Sequence, residues 1–233
     1  MKLVWLGFLA LGALSVTAEA QVPQCKSYPR SAHGQDVGLR RAPDGSMWFA
    51  TSNMNRIVRV DEKFQETPFV PVDGSTGGLS GLAFDTAGNV WFSKSAGKVV
   101  GKFPTAGGEG VEYALPEESN YPVGLTRGSD GAMWYYDPVH QNLGRVAPDG
   151  STTVIPPPPK LNPFGPAGIT AGIDDSIWLT DRAQNALWKL DIKTLKYKRY
   201  DIPDARVHPE HLRVAKDGTL WFTMTAVEKL GPL

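Results

Sequence analysis

Apolar positions in this chain come in short groups, and turn-forming residues separate the groups at regular intervals. The most similar groups read "SMWFAT", "NVWFSK", "AMWYYD", "SIWLTD" and "TLWFTM". In most copies Asp-Gly or a related pair precedes the group, as a tight hairpin with positive φ requires. Such runs predict β-strands, and no stretch shows the 3.6-residue apolar spacing of amphipathic helical repeats.

The groups belong to a longer repeat that is marked by tryptophan. The marker residues, 43 or 44 positions apart, are Trp48, Trp91, Trp134, Trp178 and Trp221. The residue ten positions before each tryptophan is Gly38, Gly81, Gly124, Gly168 or, in the last unit, His211. A period of this length with strand-like segments is typical of a propeller, in which each repeat forms one blade. The four glycines indicate crowding near the axis, where a side chain does not fit.

Each unit contains segments for four strands, so the sequence predicts an all-β fold, a β-propeller of about five four-stranded blades. The tryptophans are expected in its core. The last unit stops short of a fourth strand, and the N-terminal segment around 24–29 is expected to pair there and close the ring. Residues 21–233 then form a single domain. Closure removes free strand edges, which predicts a monomer.

The first twenty residues, "MKLVWLGFLALGALSVTAEA", have the form of a secretory leader. One basic residue precedes an apolar stretch from Leu3 to Val16, and Ala18-Glu19-Ala20 provides a small-x-small cleavage site. The segment predicts a signal peptide at 1–20 and a secreted or periplasmic protein with no membrane attachment after cleavage. Cys25 is the only cysteine, so neither a disulfide framework nor a cysteine metal site is expected.

Charge excludes one class of partner. Lys and Arg together number 24, as do Asp and Glu, so the net charge is zero. This balance provides no electrostatic footprint for nucleic acid or an anionic membrane. The expected partner is instead a small-molecule or peptide ligand at the channel face.

Two phrases carry a resemblance to a known family. "PVGLTRGSDGAMWYYD" (122–137) and "NLGRVAPDGSTTVIP" (142–156) resemble the repeats of streptogramin B lyases, and the resemblance extends over essentially all of residues 25–233. Propellers with NHL or gluconolactonase-type repeats share the period but have different activities. The resemblance implies seven blades in the family's lyases, whereas this chain has material for five.

The resemblance also implies a reaction. A base removes the proton α to a carbonyl of a cyclic depsipeptide, the ester C–O bond breaks, and Mg²⁺ held by carboxylates stabilises the developing charge. Such chemistry uses a histidine for proton transfer and oxygen ligands for the metal. In the family the histidine lies in a P-H-G turn of an inner strand, and one carboxylate is the glutamate of W-F-x-E.

These positions do not carry over unchanged. The histidine position holds Val37, Ser80, Val123, Ala167 or Glu210, and the glutamate position holds Thr51, Lys94, Asp137, Asp181 or Met224. Only the fifth unit, with "HPEH" at 208–211, combines imidazoles with a carboxylate, and its histidine lies one residue beyond the family position. Because strand side chains alternate between faces, a bulge or a deletion is needed there to keep the family's geometry.

Two hypotheses follow. In the first, the chain is a carbon–oxygen lyase with His211 and Glu210 as catalytic residues. Asp137 and Asp181 then bind Mg²⁺, and the ligand-binding residues are His208, Tyr136 and His140. In the second, the propeller is not catalytic and binds a peptide, a small ligand or a protein partner through its channel face. His211 then fills the channel, each aspartate forms a turn, and His140 is a solvated loop residue.

Overall fold

The computed structural model describes residues 36–69, 78–158, 165–203, 207–225 and 229–232. Their strands form five separate antiparallel sheets, each running outward in chain order from an innermost strand. The first blade consists of β1 (Asp36–Arg41), β2 (Met47–Thr51), β3 (Arg56–Val60) and β4 (Glu66–Phe69). The second consists of β5 (Leu79–Phe84), β6 (Asn89–Lys94), β7 (Val99–Pro104) and β8 (Val111–Ala114).

The remaining blades repeat this arrangement. The third consists of β9 (Val123–Arg127), β10 (Met133–Asp137), β11 (Asn142–Val146) and β12 (Thr152–Ile155). The fourth consists of β13 (Pro166–Ala171), β14 (Ser176–Asp181), β15 (Ala186–Asp191) and β16 (Tyr197–Asp201). The fifth has three strands, β17 (Pro209–Val214), β18 (Leu220–Met224) and β19 (Lys229–Pro232). The predicted all-β propeller of five blades is therefore confirmed.

Helical structure is slight in the part of the chain that the structure covers. One 3₁₀ turn at Glu117–Ser119 is its only helical element. In those residues there is no helix with the length and apolar character needed to cross a membrane. The predicted leader and the closing strand at 24–29 lie outside the described residues, and cleavage and a monomeric state stay predictions.

Consecutive blades pack against each other through their innermost strands, as contacts of β1 with β5, β5 with β9, β9 with β13 and β13 with β17 show. The tryptophan of one blade packs on the aromatic residues of the next. Trp48, for example, lies 6.0 Å from Phe84 and 6.3 Å from Phe103 between ring centroids, both in the second blade. The core thus lies between sheets, which explains why β2 and its equivalents are apolar on both faces.

The prediction that all five tryptophans are buried holds for the first three and is wrong for the last. Trp48, Trp91 and Trp134 are at most 1% exposed and Trp178 is partly buried, whereas Trp221 is 39% exposed. Each buried tryptophan is covered by the blade that follows it along the chain. Among the described residues no sheet follows the fifth, so Trp221 lacks that cover.

The glycines ten residues before the tryptophans lie where adjacent blades come closest. A Cβ atom on Gly81 would lie 2.6 Å from the carbonyl carbon of Gly124, and one on Gly168 would lie 2.4 Å from the carbonyl oxygen of Glu210. The predicted crowding is therefore confirmed, but its cause is the backbone of the following blade. His211 occupies the equivalent position in the fifth blade and is exposed.

A bulge interrupts the innermost pairing of every blade. The register shifts between β1 and β2, β5 and β6, β9 and β10, β13 and β14, and β17 and β18. In the fifth blade the shift falls between Pro209 and Leu212, on either side of Glu210 and His211. Because all five blades share the feature, it does not restore the family's histidine position in the fifth blade alone.

Candidate functional site

The innermost strands of all five blades surround one central cavity of about 620 Å³. Its apolar lining combines valine, leucine and isoleucine side chains with three glycines and one alanine. The polar side chains among the lining residues are Arg40, Ser80, Tyr136, His211 and Arg213. Such a cavity has the size and the few polar groups of a small-ligand site.

His211 reaches the cavity from β17. Its backbone N–H donates to Thr223 Oγ1 at 3.1 Å, which satisfies the amide that the bulge leaves unpaired. Its side chain is exposed and lines the cavity, as the sequence predicted. The imidazole can therefore meet a ligand without moving any packed element.

Glu210 precedes His211, and its side chain and its carbonyl oxygen both contact residues of the fourth blade. Its carboxylate forms an ion pair with Arg182 Nη1 at 2.7 Å, and its carbonyl oxygen accepts a hydrogen bond from Thr180 Oγ1. The side chain of Glu210 is not among the described side chains that line the cavity. The two residues predicted as catalytic are therefore neighbours in sequence but face different surroundings.

Tyr136 forms part of the cavity wall. Its hydroxyl donates to the carbonyl oxygen of Ala167 at 3.0 Å and so bridges the third and fourth blades. The side chain is only 7% exposed. Burial, helped by the negative charge of Glu210, raises the pKa of the Tyr136 hydroxyl well above its ordinary value, so the phenol stays neutral. It can present a ring edge to a ligand but is not poised to take a proton.

Asp137 and His140 form a pair at the end of β10. The buried Asp137 accepts hydrogen bonds from the backbone N–H groups of Tyr121, Val139 and His140, at 2.8–2.9 Å. Its Oδ2 also lies 2.8 Å from Nδ1 of His140. The carboxylate therefore organises the hairpin between β10 and β11, as the turn-forming interpretation expects.

Asp181 performs the same task at the end of β14. Its Oδ1 accepts hydrogen bonds from the backbone N–H groups of Gly165 and Gln184, at 3.3 and 3.1 Å. Its Oδ2 accepts from the indole N–H of Trp188 at 3.2 Å. Burial raises the pKa of this carboxyl above its usual value, and these donors oppose the shift in part.

The magnesium ligands implied by the family resemblance do not come together in the described residues. No group of three or more His, Cys, Asp and Glu side chains there has the arrangement to hold a metal. Asp137 and Asp181 each direct their oxygens at donors of their own turns, which leaves them poorly suited to a cation. Magnesium dependence stays a prediction.

His208, the third histidine predicted here, is exposed and adopts a left-handed backbone conformation with φ of 48°. Its carbonyl oxygen accepts hydrogen bonds from the backbone N–H and the hydroxyl of Thr225. The residue thus shapes the entry to β17. Of the seven predicted site residues, the cavity brings together His211 and Tyr136.

Sequence reasoning missed two arginines of the cavity wall. Arg40 and Arg213 stand eight residues before Trp48 and Trp221, where the other units have Ala83, Thr126 or Thr170. The signal was present in the repeat alignment. An arginine where the other units have Ala or Thr indicates that this position has different surroundings in the first and fifth blades.

Comparisons with known proteins agree with this architecture. The chain is 30% identical over 201 residues to virginiamycin B lyase of Nocardia farcinica, covering 85% of this chain and 66% of that protein. The structure of a catalytically inactive His-to-Ala variant of virginiamycin B lyase from Staphylococcus aureus, with quinupristin, is 27% identical with a TM-score of 0.78. That superposition covers 88% of this chain and 68% of the other.

A more distant structure shares only the fold. A chain of the nidogen/laminin complex is 14% identical with a TM-score of 0.69, covering 85% of this chain and 75% of that one. No protein-family model matches the chain. The chain spans about two thirds of the length of the lyases that it matches. Its repeats, its blades and its match to virginiamycin B lyase show that the chain belongs to the streptogramin B lyase-like family of β-propellers.

Proposed function

We propose that the central cavity binds a cyclic ester or depsipeptide and that His211 acts as the base that opens it by elimination. The observation that carries the proposal is the position of His211. Among the described residues it is the one histidine that lines the cavity, and its side chain is exposed there. The family relationship supports the reaction type.

The reaction assigns a simple task to this residue. A neutral ring nitrogen of His211 takes the proton α to a carbonyl, the electron pair forms a carbon–carbon double bond, and the ester C–O bond breaks. The products are an alkene and a carboxylate in one ring-opened molecule. The protonated His211 gives its proton back to the carboxylate by way of solvent, so the neutral product has the mass of the substrate. Histidine suits this step because its ordinary pKa lies near neutrality.

The cavity supports the ligand in two further ways. Tyr136 stays neutral and presents an aromatic surface, and Leu79, Ile169 and Leu212 add apolar side chains to the wall. The family resemblance implies that the related lyases use a divalent ion to stabilise the negative charge. Because Asp137 and Asp181 do not fit such an ion, we assign no step to it here.

Binding without chemistry is the second candidate function. It is favoured by the aspartates at the ends of β10 and β14, which are occupied by their own turns, and by the ion pair that holds Glu210. Under this alternative the same cavity receives a ligand, and His211 contributes only a contact.

Ring opening can be measured by incubating the protein with quinupristin, with and without Mg²⁺, and analysing the products by chromatography and mass spectrometry. We expect a ring-opened product of unchanged mass. Substitution His211→Ala should slow its formation by about 10²–10⁴-fold, the usual contribution of general acid–base catalysis. The control Lys216→Ala changes an exposed residue of the same blade and should retain the rate.

The outcomes separate the candidates. A product heavier by one water would indicate hydrolysis and exclude elimination. Equal rates for the wild type and His211→Ala would remove the catalytic role of His211. Binding of quinupristin without any product would leave the second candidate.

A further inference from the structure

Two arginines on the cavity wall have the same position and make the same kind of hydrogen bond in different blades. Arg40 lies on β1 and Arg213 on β17, each eight residues before the tryptophan of its blade. Arg40 Nη1 donates to the carbonyl oxygen of Leu39 at 3.0 Å, and Arg213 Nη1 donates to that of Leu212 at 2.7 Å. Each guanidinium is thereby anchored by one N–H group, and its other N–H groups have no hydrogen-bond partner among the described residues.

The charge of these arginines is not balanced nearby. Among the residues that the structure describes, no carboxylate lines the cavity and no ion pair involves either arginine. Elsewhere in the described chain cations are commonly paired, as Arg59 is with Asp44 and Arg145 with Asp130. Burial and then the charge of Arg213 lower the pKa of Arg40 to about 10.

A second cavity extends the positive region. Arg40 also lines a depression of about 590 Å³ that contains Arg41 and Arg127, and this lining likewise has no carboxylate among its described residues. The buried Nε of Arg127 has no hydrogen-bond partner among the described residues. Although the net charge of the chain is zero, this local group of positive side chains creates a positive potential that attracts anions.

We propose that Arg40 and Arg213 form an oxyanion-binding site on the wall of the central cavity, which holds a carboxylate or phosphate group of a small ligand. Guanidinium groups bind such planar or tetrahedral anions through paired, charge-assisted hydrogen bonds. An anion between two mutually repelling cations also removes their repulsion. The site does not depend on the elimination proposed above, although it would receive the carboxylate that this reaction releases.

The site can be tested with two simple probes, succinate for carboxylates and inorganic phosphate for phosphates. Each is titrated into the full protein at constant ionic strength and followed by calorimetry and by the NMR signals of the arginine Nε–H groups. Succinamide serves as the neutral analogue, and sodium chloride serves as the non-specific salt. We expect at least one oxyanion to bind and to shift the Arg40 and Arg213 signals, while succinamide and chloride do not.

Three substitutions assign the binding to these residues. Arg40→Gln and Arg213→Gln should each weaken the oxyanion about tenfold or more, in line with a lost hydrogen bond to a charged group. Arg40→Lys keeps the charge and should retain part of the affinity. Arg199→Gln removes the same charge on the outer strand β16, where Arg199 pairs with Asp201, and should leave the affinity unchanged.

Stability provides an independent readout. Without ligand, Arg40→Gln should raise the melting temperature, because it removes the repulsion between Arg213 and the partly buried Arg40, whereas a merely structural arginine would lower it when lost. The proposal is overturned if neither oxyanion binds more tightly than chloride, or if the wild type and both glutamine variants bind equally. A wild type that binds the oxyanion but does not open quinupristin would instead contradict only the elimination.

Discussion

Replacement of Gly81 by alanine would test how closely the blades approach each other. The added Cβ would lie 2.6 Å from the carbonyl carbon of Gly124 and 2.7 Å from the backbone nitrogen of Leu125. Both atoms belong to the main chain of the third blade and cannot turn aside as a side chain would. Gly81 is not in the left-handed region, so the substitution introduces steric overlap without a backbone penalty.

Overlap of this kind in a packed interior costs about 1–3 kcal/mol, and rigid backbone neighbours place it near the upper limit. We therefore expect Gly81→Ala to lower the free energy of unfolding by about 3 kcal/mol. For a chain of this size the midpoint should fall by about 6–12 °C. Far-ultraviolet circular dichroism, followed during heating, measures the change.

Gly78→Ala is the matched control. Gly78 has φ of 63° and nothing within 4 Å of an added Cβ, so alanine there bears only the cost of a left-handed backbone, about 1 kcal/mol. Gly81→Ala should be the more damaging of the two by several degrees. Equal midpoints for both variants would refute the close approach of the second and third blades.

Three further predictions concern stability. His211→Ala should change the free energy of unfolding by less than about 0.5 kcal/mol, because the exposed imidazole is not packed; a larger loss in urea titration would show a structural role. Glu112→Gln should cost about 2 kcal/mol in the same assay, since Lys94, 0% exposed, loses its charged hydrogen bond to Glu112 at 2.9 Å; a neutral effect would contradict this. Hydrogen bonds from Ser46 lower the pKa of Asp44, so its carboxylate stabilises the fold above about pH 4 and loses this effect as the pH falls further. Asp44→Asn should therefore be less stable at pH 7 and decline less steeply below pH 4, and parallel pH curves would exclude the linkage.

The fold could be predicted because every blade repeats the same local sequence features. One sheet per unit is indicated by the tryptophan period, the Asp-Gly turns and the strands that are apolar on both faces. Because the pattern recurs five times, a misread strand in one unit does not change the predicted fold. The exposure of Trp221 could not be predicted from the pattern. Whether that tryptophan is buried depends on the blade beside it, and its own sequence does not encode this neighbour.

The site was less predictable, because its residues come from blades that are distant in sequence. The position of His211 in the cavity followed from its alignment with the crowded glycines. The pairing of Glu210 with Arg182 could not be foreseen, since it depends on how the fourth and fifth blades meet. The same applies to Arg40 and Arg213, whose approach across the cavity has no signature in either unit alone.

A structure of the His211→Ala variant crystallised with quinupristin would test the central claim most directly. We expect the compound to occupy the central cavity, against Tyr136 and Leu212, with its ester group beside position 211. Density for the compound at another surface, with the cavity filled only by water, would contradict the assignment of this cavity as the functional site.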